Sequence, residues 1–263
     1  MSLLTICLTD VRTKICNFAP ERFRIFQNEV TIYPFVSVVV TSVYNVAGGR
    51  RRISTSDSFS CFGSGCRSLY HDMGLEGVVN WKAFRQAVTG YQRIEGRKRD
   101  VLTLIDFSLP STAERFFVFD MARRRLLFSS VVAHGKNSGE NYATSFSNEY
   151  GSYKSSLGFY LTGSTYQGSN GYSLLLDGLE KGINDRARER AIVVHGAAYA
   201  DPSVASRGGR LGRSFGCPAL PQKLSRPIID AIKDGSVMYI YAPTPEYLAQ
   251  STVLNASDLP DAI

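Results

Sequence analysis

The chain has 263 residues, of which 44% are hydrophobic and 20% are charged. This balance excludes an intrinsically disordered chain, and the length is sufficient for one substantial hydrophobic core with an appendage. The formal net charge of +7 favours an anionic partner. The sequence contains no zinc-finger spacing, phosphate-binding glycine loop or aromatic RNA-binding motif beside its basic residues, so we expect no nucleic acid partner.

The N-terminal segment, residues 1–68, has the weakest structural pattern. Residues 30–46 are largely apolar and β-branched, which fits the core of an export signal, a membrane anchor or a buried strand. Pro34 weakens the membrane-spanning interpretation, and the arginines at 50–52 are atypical of the end of an export signal. A mis-assigned start is a further explanation of this stretch. Residues 54–68 are rich in Ser and Gly and are predicted to form a linker.

Four of the five cysteines lie in the first quarter of the chain, whereas Cys217 stands alone. Cys61 and Cys66 either close a small disulfide loop or are two thiols in the linker. The chain has only three histidines, and no second pair of ligands lies near these two cysteines. We therefore expect no metal site and no cofactor.

The elements that follow predict a mainly β catalytic domain over residues 69–263. Residues 69–92 carry apolar residues at helical spacing and predict a helical pair, with Asn80 as the cap of the second helix. From Val101 onward the pattern changes to short β runs separated by turns, and a short helix is predicted from Leu224 to Lys233. These elements favour a mostly antiparallel sandwich or barrel-like sheet with a few short helices. The predicted strands cover residues 102–107, 115–120, 125–132, 158–162, 172–176, 191–195 and 237–241.

Two short motifs near the C-terminus carry the predicted chemistry. His195 ends an apolar, β-branched run and is followed by Gly196, and Cys217 ends the turn Ser-Phe-Gly-Cys over residues 214–217. A thiol is mostly protonated near neutral pH and becomes a good nucleophile beside a base or a cation, which His195 can supply. Taken singly, such a cysteine is more often a small buried hydrophobe, and such a histidine a satisfied polar group. The pair together predicts a thiol nucleophile whose pKa is lowered by the imidazole.

The backbone around both motifs predicts the rest of such a site. Gly216 allows a sharp turn, so the N–H groups of Phe215, Gly216 and Cys217 are predicted to converge beside the sulfur and to stabilise an oxyanion. The carbonyl group of Gly196 is predicted to accept the second imidazole N–H, which sets the tautomer and the orientation of His195. This predicted triad needs no acidic residue.

The two motifs together resemble the active-site signature of the murein L,D-transpeptidases. In that family a His-Gly or His-Ser follows a strand and precedes a Ser/Thr-His-Gly-Cys turn. Phe215 stands where the family usually has histidine, which resembles a divergent branch, and the resemblance extends from about Leu69 to Leu248. It implies the L,D-transpeptidase fold, action on peptidoglycan stem peptides, whose carboxylates suit the positive charge, and a location in the cell envelope. The positions that match are His195, Gly196, Ser214, Gly216 and Cys217.

The resemblance also implies a reaction. Cys217 would attack the carbonyl that links an L-centre to a D-centre in a stem tetrapeptide, expel D-alanine and form a thioester that the amine of a second stem resolves, with His195 as the base. Water as the acceptor would instead make the enzyme an L,D-carboxypeptidase. A non-catalytic envelope-binding module is the alternative from another class. A papain-like peptidase is disfavoured, because its cysteine precedes its histidine in the chain.

Four further residues are predicted to bind the substrate. Arg210 and Arg213 lie in the loop before the cysteine turn, where a planar guanidinium can hold a carboxylate through two hydrogen bonds. Arg213 is the stronger candidate of the two. Ser214 begins the turn itself, and His134 follows a strand much as His195 does, so the resemblance implies that it lies in the cleft.

Overall fold

The computed structural model describes residues 64–255 of the chain. The predicted apolar segment at 30–46, the first ten residues of the predicted linker and Cys61 lie outside the described residues. Within residues 64–255, no helix is long and apolar enough to cross a membrane. The division of the chain at residue 68 stays a prediction.

A helical pair opens the described region, as the sequence predicts. The helices are α1 (Ser64–Asp72) and α2 (Trp81–Arg93). The side chain of Asn80 accepts hydrogen bonds from two backbone N–H groups of the first turn of α2, which confirms the predicted cap. Gly90 of α2 lies so close to the ring of Phe159 that a side chain there would overlap it, so α2 packs tightly on the sheet.

The linker prediction is wrong for residues 64–68, which form the first part of α1. Composition suggested a linker because Ser and Gly dominate this stretch. However, Cys66 is buried in the hydrophobic core, and Leu69 and Tyr70 follow it there. Burial of these side chains against α2 stabilises a helix in residues whose local preference for it is weak.

The remaining elements form one mixed sheet with helices around it. The strands are β1 (Val101–Asp106), β2 (Phe116–Asp120), β3 (Arg125–Ser130), β4 (Gly158–Gly168), β5 (Gly171–Gly178), β6 (Val193–Gly196), β7 (Ala219–Leu220) and β8 (Val237–Tyr241). The later helices are a 3₁₀ turn (Ala198–Ala200), α3 (Pro202–Gly208), α4 (Gln222–Ile232), α5 (Pro245–Gln250) and α6 (Thr252–Asn255). Neighbouring strands follow the order β3-β2-β1-β8-β4-β5-β6-β7. The pairs β1/β8 and β6/β7 are parallel, and the other neighbours are antiparallel.

The sheet is nearly closed and barrel-like. After β3 the chain continues to an isolated antiparallel bridge between Ala133 and Ala219, which joins the β3 end of the sheet to β7 at its other edge. This arrangement confirms the predicted mainly β, barrel-like fold with a few short helices. Five of the seven neighbouring strand pairs are antiparallel, which agrees with the mostly antiparallel sheet predicted from the sequence, and β1/β8 and β6/β7 are the two parallel pairs.

The strand that carries His195 is shorter than predicted. It begins at Val193 rather than at Ala191, because Ala191 has a φ angle of 53°, in the left-handed region. Ala191 thus lies in the turn before β6, where its carbonyl group is the acceptor for the Cys217 thiol. At the other end of β6, a side chain on Gly196 would meet the side chain of Ser225, so α4 packs closely on this strand.

Candidate active site

The two predicted catalytic residues lie on neighbouring segments at one edge of the sheet. His195 is in β6, and Cys217 is in the turn that leads into β7. Strands β6 and β7 are parallel, and His195 pairs with Ala219. Two residues earlier on both segments, Cys217 therefore lies beside Val193. Both side chains are nearly buried, with 4% of His195 and 8% of Cys217 exposed.

The Cys217 thiol bonds to the backbone of the β6 segment. Its sulfur accepts a hydrogen bond from the N–H of Val193 at 3.5 Å, and the S–H donates to the carbonyl oxygen of Ala191 at 3.6 Å. Among the described residues, no hydrogen bond joins this thiol to His195. Burial raises the pKa of Cys217, while the Val193 N–H and the positive charge of Arg190 act in the opposite direction. The contact that the predicted thiolate–imidazolium pair requires is thus not formed in this conformation, and the pair stays a prediction.

The His195 ring is held in one tautomer by the next residue. Its Nδ1 lies 3.1 Å from the carbonyl oxygen of Gly196. A carbonyl only accepts hydrogen bonds, so Nδ1 carries the proton and Nε2 keeps its lone pair. This is the contact expected for Gly196 from the sequence. Burial lowers the pKa of His195, and the Gly196 carbonyl partly opposes the shift, so the ring favours the neutral form.

The turn before Cys217 differs from prediction at two residues. Ser214 was expected to bind substrate, but its buried hydroxyl donates to the carbonyl of Cys217 at 2.6 Å and accepts the N–H of Gly216 at 3.0 Å. Ser214 therefore closes the turn. The N–H of Gly216 was predicted to lie in the oxyanion hole, but in this structure it donates to Ser214. The N–H groups of Phe215 and Cys217 donate to no other residue within 64–255. The prediction for these two groups stands as a prediction.

Only glycine fits at position 216, because of both its backbone conformation and its close neighbours. Its φ angle is 128°, and a Cβ there would lie 2.8 Å from both the carbonyl oxygen of Lys154 and a methyl carbon of Ile192. The loop at residues 152–155 therefore packs directly on the nucleophile turn. Ser155 adds a hydrogen bond of 3.0 Å from its hydroxyl to the carbonyl of Gly216.

The ring of His134 is buried and bonded to other residues of the protein. Its Nδ1 accepts a hydrogen bond of 2.7 Å from the buried guanidinium of Arg115, and its Nε2 lies 3.3 Å from the carbonyl of Gly139. Burial, together with the charge of Arg115, lowers the pKa of His134 to about 4. Both ring nitrogens are used inside the protein, so this geometry gives no support to a substrate contact at His134, which stays a prediction. Its carbonyl accepts the N–H of Ser214 at 2.9 Å and so supports the nucleophile turn.

The two arginines that were predicted to bind a substrate carboxylate both contact the carboxylate of Glu140 in the same chain. Nε of Arg210 lies 2.8 Å from one oxygen of Glu140, and Nη1 of Arg213 lies 2.8 Å from the other. Nη1 of Arg213 also donates to the carbonyls of Lys136 and Gly139, each at 3.0 Å. A substrate carboxylate at Arg213 would have to compete with these contacts. Its predicted role in substrate binding remains a prediction.

Arg190 is a component of the site that sequence reasoning missed. Its half-buried guanidinium donates to the hydroxyl of Ser156 and to the carbonyls of Ser147 and Lys154, the latter two at 2.8 and 2.6 Å. A Cβ on Gly216 would be 3.5 Å from its Nη2, so the cation lies against the nucleophile turn. No local motif surrounds Arg190, and its role depends on the loop at 147–156, which folds back over it. Only its position one residue before Ala191 connects it in sequence with the histidine strand.

Comparisons with known proteins place the chain in a family. A sequence model of the L,D-transpeptidase catalytic domain matches residues 76–241, more than half of the chain. No curated protein matches the chain.

Among solved structures, the chain is similar to an L,D-transpeptidase from Mycobacterium smegmatis, with 15% identity, a TM-score of 0.34 and coverage of 54% of this chain and 59% of that one. It is also similar to L,D-transpeptidase 3 from Mycobacterium tuberculosis, with 14% identity, a TM-score of 0.34 and coverage of 54% and 61%. An L,D-transpeptidase from Xylanimonas cellulosilytica gives 13% identity, a TM-score of 0.31 and coverage of 54% and 61%. The chain thus spans about 60% of the length of these relatives. By the match over residues 76–241, the chain belongs to the L,D-transpeptidase catalytic domain family.

Proposed function

We propose that this protein is a cysteine acyltransferase that acts on peptidoglycan stem peptides in the cell envelope. Family membership supports the class of reaction. One observation carries the assignment of residues: the buried ring of His195, with Nδ1 bonded to the Gly196 carbonyl, leaves Nε2 as a base on the strand beside the Cys217 turn. Cys217 is the proposed nucleophile.

The first step of the proposed mechanism is a change in the position of the thiol. In the resting structure its proton is directed at the Ala191 carbonyl. Rotation about the Cα–Cβ bond exchanges this contact for one with Nε2 of His195, and such rotations connect ordinary staggered positions. A protonated thiol beside a neutral imidazole then needs only proton transfer, coupled to attack, to become nucleophilic.

The chemical steps balance as follows. Nε2 of His195 takes the thiol proton while the sulfur of Cys217 bonds to the carbonyl carbon that joins the L-centre to the D-centre. The C–N bond then breaks, the imidazolium returns its proton to the leaving amine of D-alanine, and a thioester remains. The amine of a second stem peptide attacks the thioester, loses its proton to His195 and releases the thiol of Cys217. Water in place of this amine releases a tripeptide.

Two local features would assist the charge that develops in these steps. The N–H groups of Phe215 and Cys217 are the proposed oxyanion donors. Arg190 is proposed to stabilise the thiolate, because it is the cation that opposes the effect of burial on the pKa of Cys217. It acts as a fixed charge, since several oxygens of the loop at 147–156 hold its guanidinium.

The proposal is tested by incubating the protein with a disaccharide tetrapeptide and identifying the products by mass. A cross-linked dimer with release of D-alanine supports transpeptidation, and a tripeptide alone supports the carboxypeptidase reaction. Cys217→Ala should abolish both products. Trapping the acyl-enzyme at low pH should add the mass of the tripeptide unit to Cys217, and turnover without such an adduct would contradict the thioester. No product with the unaltered protein would favour the non-catalytic binding module.

A further inference from the structure

A lysine and two exposed aromatic rings form a compact surface at the nucleophile turn. We call this group of Lys136, Tyr153 and Phe215 the lysine platform. Nζ of Lys136 lies 4.3 Å from the ring centre of Tyr153 and 4.6 Å from that of Phe215, and the two ring centres are 4.8 Å apart. Phe215 is 65% exposed and Tyr153 is 41% exposed, so the platform faces solvent.

The backbone fixes the lysine platform to the turn that carries Cys217. The N–H of Lys136 donates to the carbonyl of Ser214 at 2.8 Å, and the N–H of Asn137 donates to the carbonyl of Tyr153 at 3.2 Å. Tyr153 has a φ angle of 54°, a left-handed conformation that is rare for a bulky residue and persists only where the surroundings impose it. Three separate segments therefore converge to hold one ammonium group against the turn that leads to the proposed nucleophile.

The chemistry of the platform indicates what it can bind. Two ring faces attract the Lys136 ammonium and restrict its motion, but they do not satisfy its N–H donors as a carboxylate oxygen would. Within residues 64–255, Lys136 forms no salt bridge, whereas Arg210 and Arg213 are both paired with Glu140 and Arg190 is bonded to loop oxygens. An ordered cation with open donors and an apolar wall suits a carboxylate attached to an aliphatic group.

We propose that the lysine platform binds a carboxylate of the peptide substrate, so that Lys136, rather than Arg213, is the residue that recognises the anionic peptide. This inference depends on the proposed function for the identity of the peptide. It also gives a physical role to Phe215, which stands where the family usually has histidine. The carboxylate is either the C-terminal one of the leaving residue or a side-chain one of the stem, and both have the same chemistry.

The test compares three disaccharide tetrapeptides: the free acid, the C-terminal amide and a form amidated at the side-chain carboxylate. For Lys136→Met, which keeps the apolar length, we expect kcat/KM for the free acid to fall about tenfold, mainly through KM. One of the two amides should be insensitive to the substitution, and this amide identifies the carboxylate that is bound. Lys136→Arg should recover most of the loss. Lys223→Met, which removes an exposed charge on α4, is the matched control and should behave as the unaltered protein.

Calorimetric binding to proteins that also carry Cys217→Ala separates this inference from the proposed function. Weaker binding of the free acid to Lys136→Met/Cys217→Ala than to Cys217→Ala supports the platform even where no turnover is observed. If the ratio of kcat/KM for the free acid to kcat/KM for each amide is the same in the unaltered protein and in Lys136→Met, and turnover is normal, the proposed role of the platform is overturned and the proposed function stays intact. Failure of the unaltered chain to bind or turn over any of the peptides would overturn both. Thermal unfolding of each variant verifies that the fold is retained.

Discussion

The thiol of Cys217 accepts a hydrogen bond from the backbone N–H of Val193, two residues before the proposed base on the same strand. The sulfur is thereby held in a buried position in which its S–H also reaches the Ala191 carbonyl. Burial of this kind limits the access of solvent and of oxidants to the thiol.

The first prediction concerns the reactivity of the free enzyme. Because burial raises the pKa of Cys217 and no hydrogen bond connects it to His195, the rate of iodoacetamide alkylation should rise only above the pH typical of an unperturbed thiol. His195→Ala should leave this profile nearly unchanged, yet reduce turnover by about 10²- to 10⁴-fold through loss of the base. An alkylation step below neutral pH that disappears in His195→Ala would restore the thiolate–imidazolium pair predicted from the sequence.

The second prediction concerns Arg190. Arg190→Gln removes the cation that lowers the pKa of Cys217, so the alkylation profile should move to higher pH. Arg190→Lys keeps the positive charge but loses the planar guanidinium, so its alkylation profile should lie between those of the unaltered protein and Arg190→Gln. Arg188→Gln, which removes an exposed guanidinium two residues away, is the control. Identical profiles for all four proteins would show that Arg190 only orders the loop at 147–156.

The third prediction concerns the hydroxyl of Ser214. Ser214→Ala leaves the buried N–H of Gly216 and the carbonyl of Cys217 without this partner, which should reduce the free energy of unfolding by about 1–3 kcal/mol. Activity should fall in parallel because the turn that positions Cys217 loosens. Chemical denaturation provides the measurement, and Ser206→Ala on the exposed face of α3 is the control. A variant with full stability would contradict the role of Ser214 in closing the turn.

The fourth prediction concerns Arg213 and Glu140. Arg213→Lys and Glu140→Gln should each raise KM by about threefold, because both substitutions weaken the contacts that order residues 136–140 and hence Lys136. Their effect on the free energy of unfolding should stay below about 1 kcal/mol, since the Glu140 side chain is largely exposed. Steady-state kinetics of the two variants and the unaltered protein provides the KM values for this comparison. A lower KM in Glu140→Gln would instead indicate that Arg213 binds the substrate carboxylate directly, as the sequence predicted.

The fifth prediction concerns pH and stability. The pKa of His134 is about 4 in the folded protein, below the value of about 6.5 expected for the unfolded chain. Between these values the unfolded state binds the proton and the folded state does not, so the stabilisation is complete above about pH 6.5 and is lost as the pH falls toward 4. The effect is on the order of 3 kcal/mol.

A comparison of unfolding free energies across this pH range isolates the contribution of His134. His134→Gln retains an acceptor for Arg115 and does not titrate, so its unfolding free energy should depend less on pH than that of the unaltered protein. His71→Gln, at a side chain that is 81% exposed, should follow the unaltered protein. A His134→Gln profile parallel to the unaltered one would contradict the low pKa.

Local sequence predicted most of the strands and the first two helices, and it singled out the two residues that we propose as nucleophile and base. Asn80 caps α2 through contacts within three residues, and the His-Gly and Ser-x-Gly-Cys motifs carry their chemistry in a few adjacent positions. Even the contact between His195 and the Gly196 carbonyl involves neighbouring residues only. Such interactions are readable from sequence because their geometry depends on short-range backbone conformation.

The tertiary structure decided what surrounds these residues. The ring of His134 is bonded inside the core because Arg115, nineteen positions away in sequence, reaches it there. Arg190 entered the site because the loop at 147–156 folds over it, and Lys136 meets Phe215 because the segment after β3 pairs with the nucleophile turn. Desolvation and charge act through space, so the pKa values of Cys217 and His195 depended on which distant segments cover them. These contacts between distant segments cannot be predicted from the spacing of residues in the sequence.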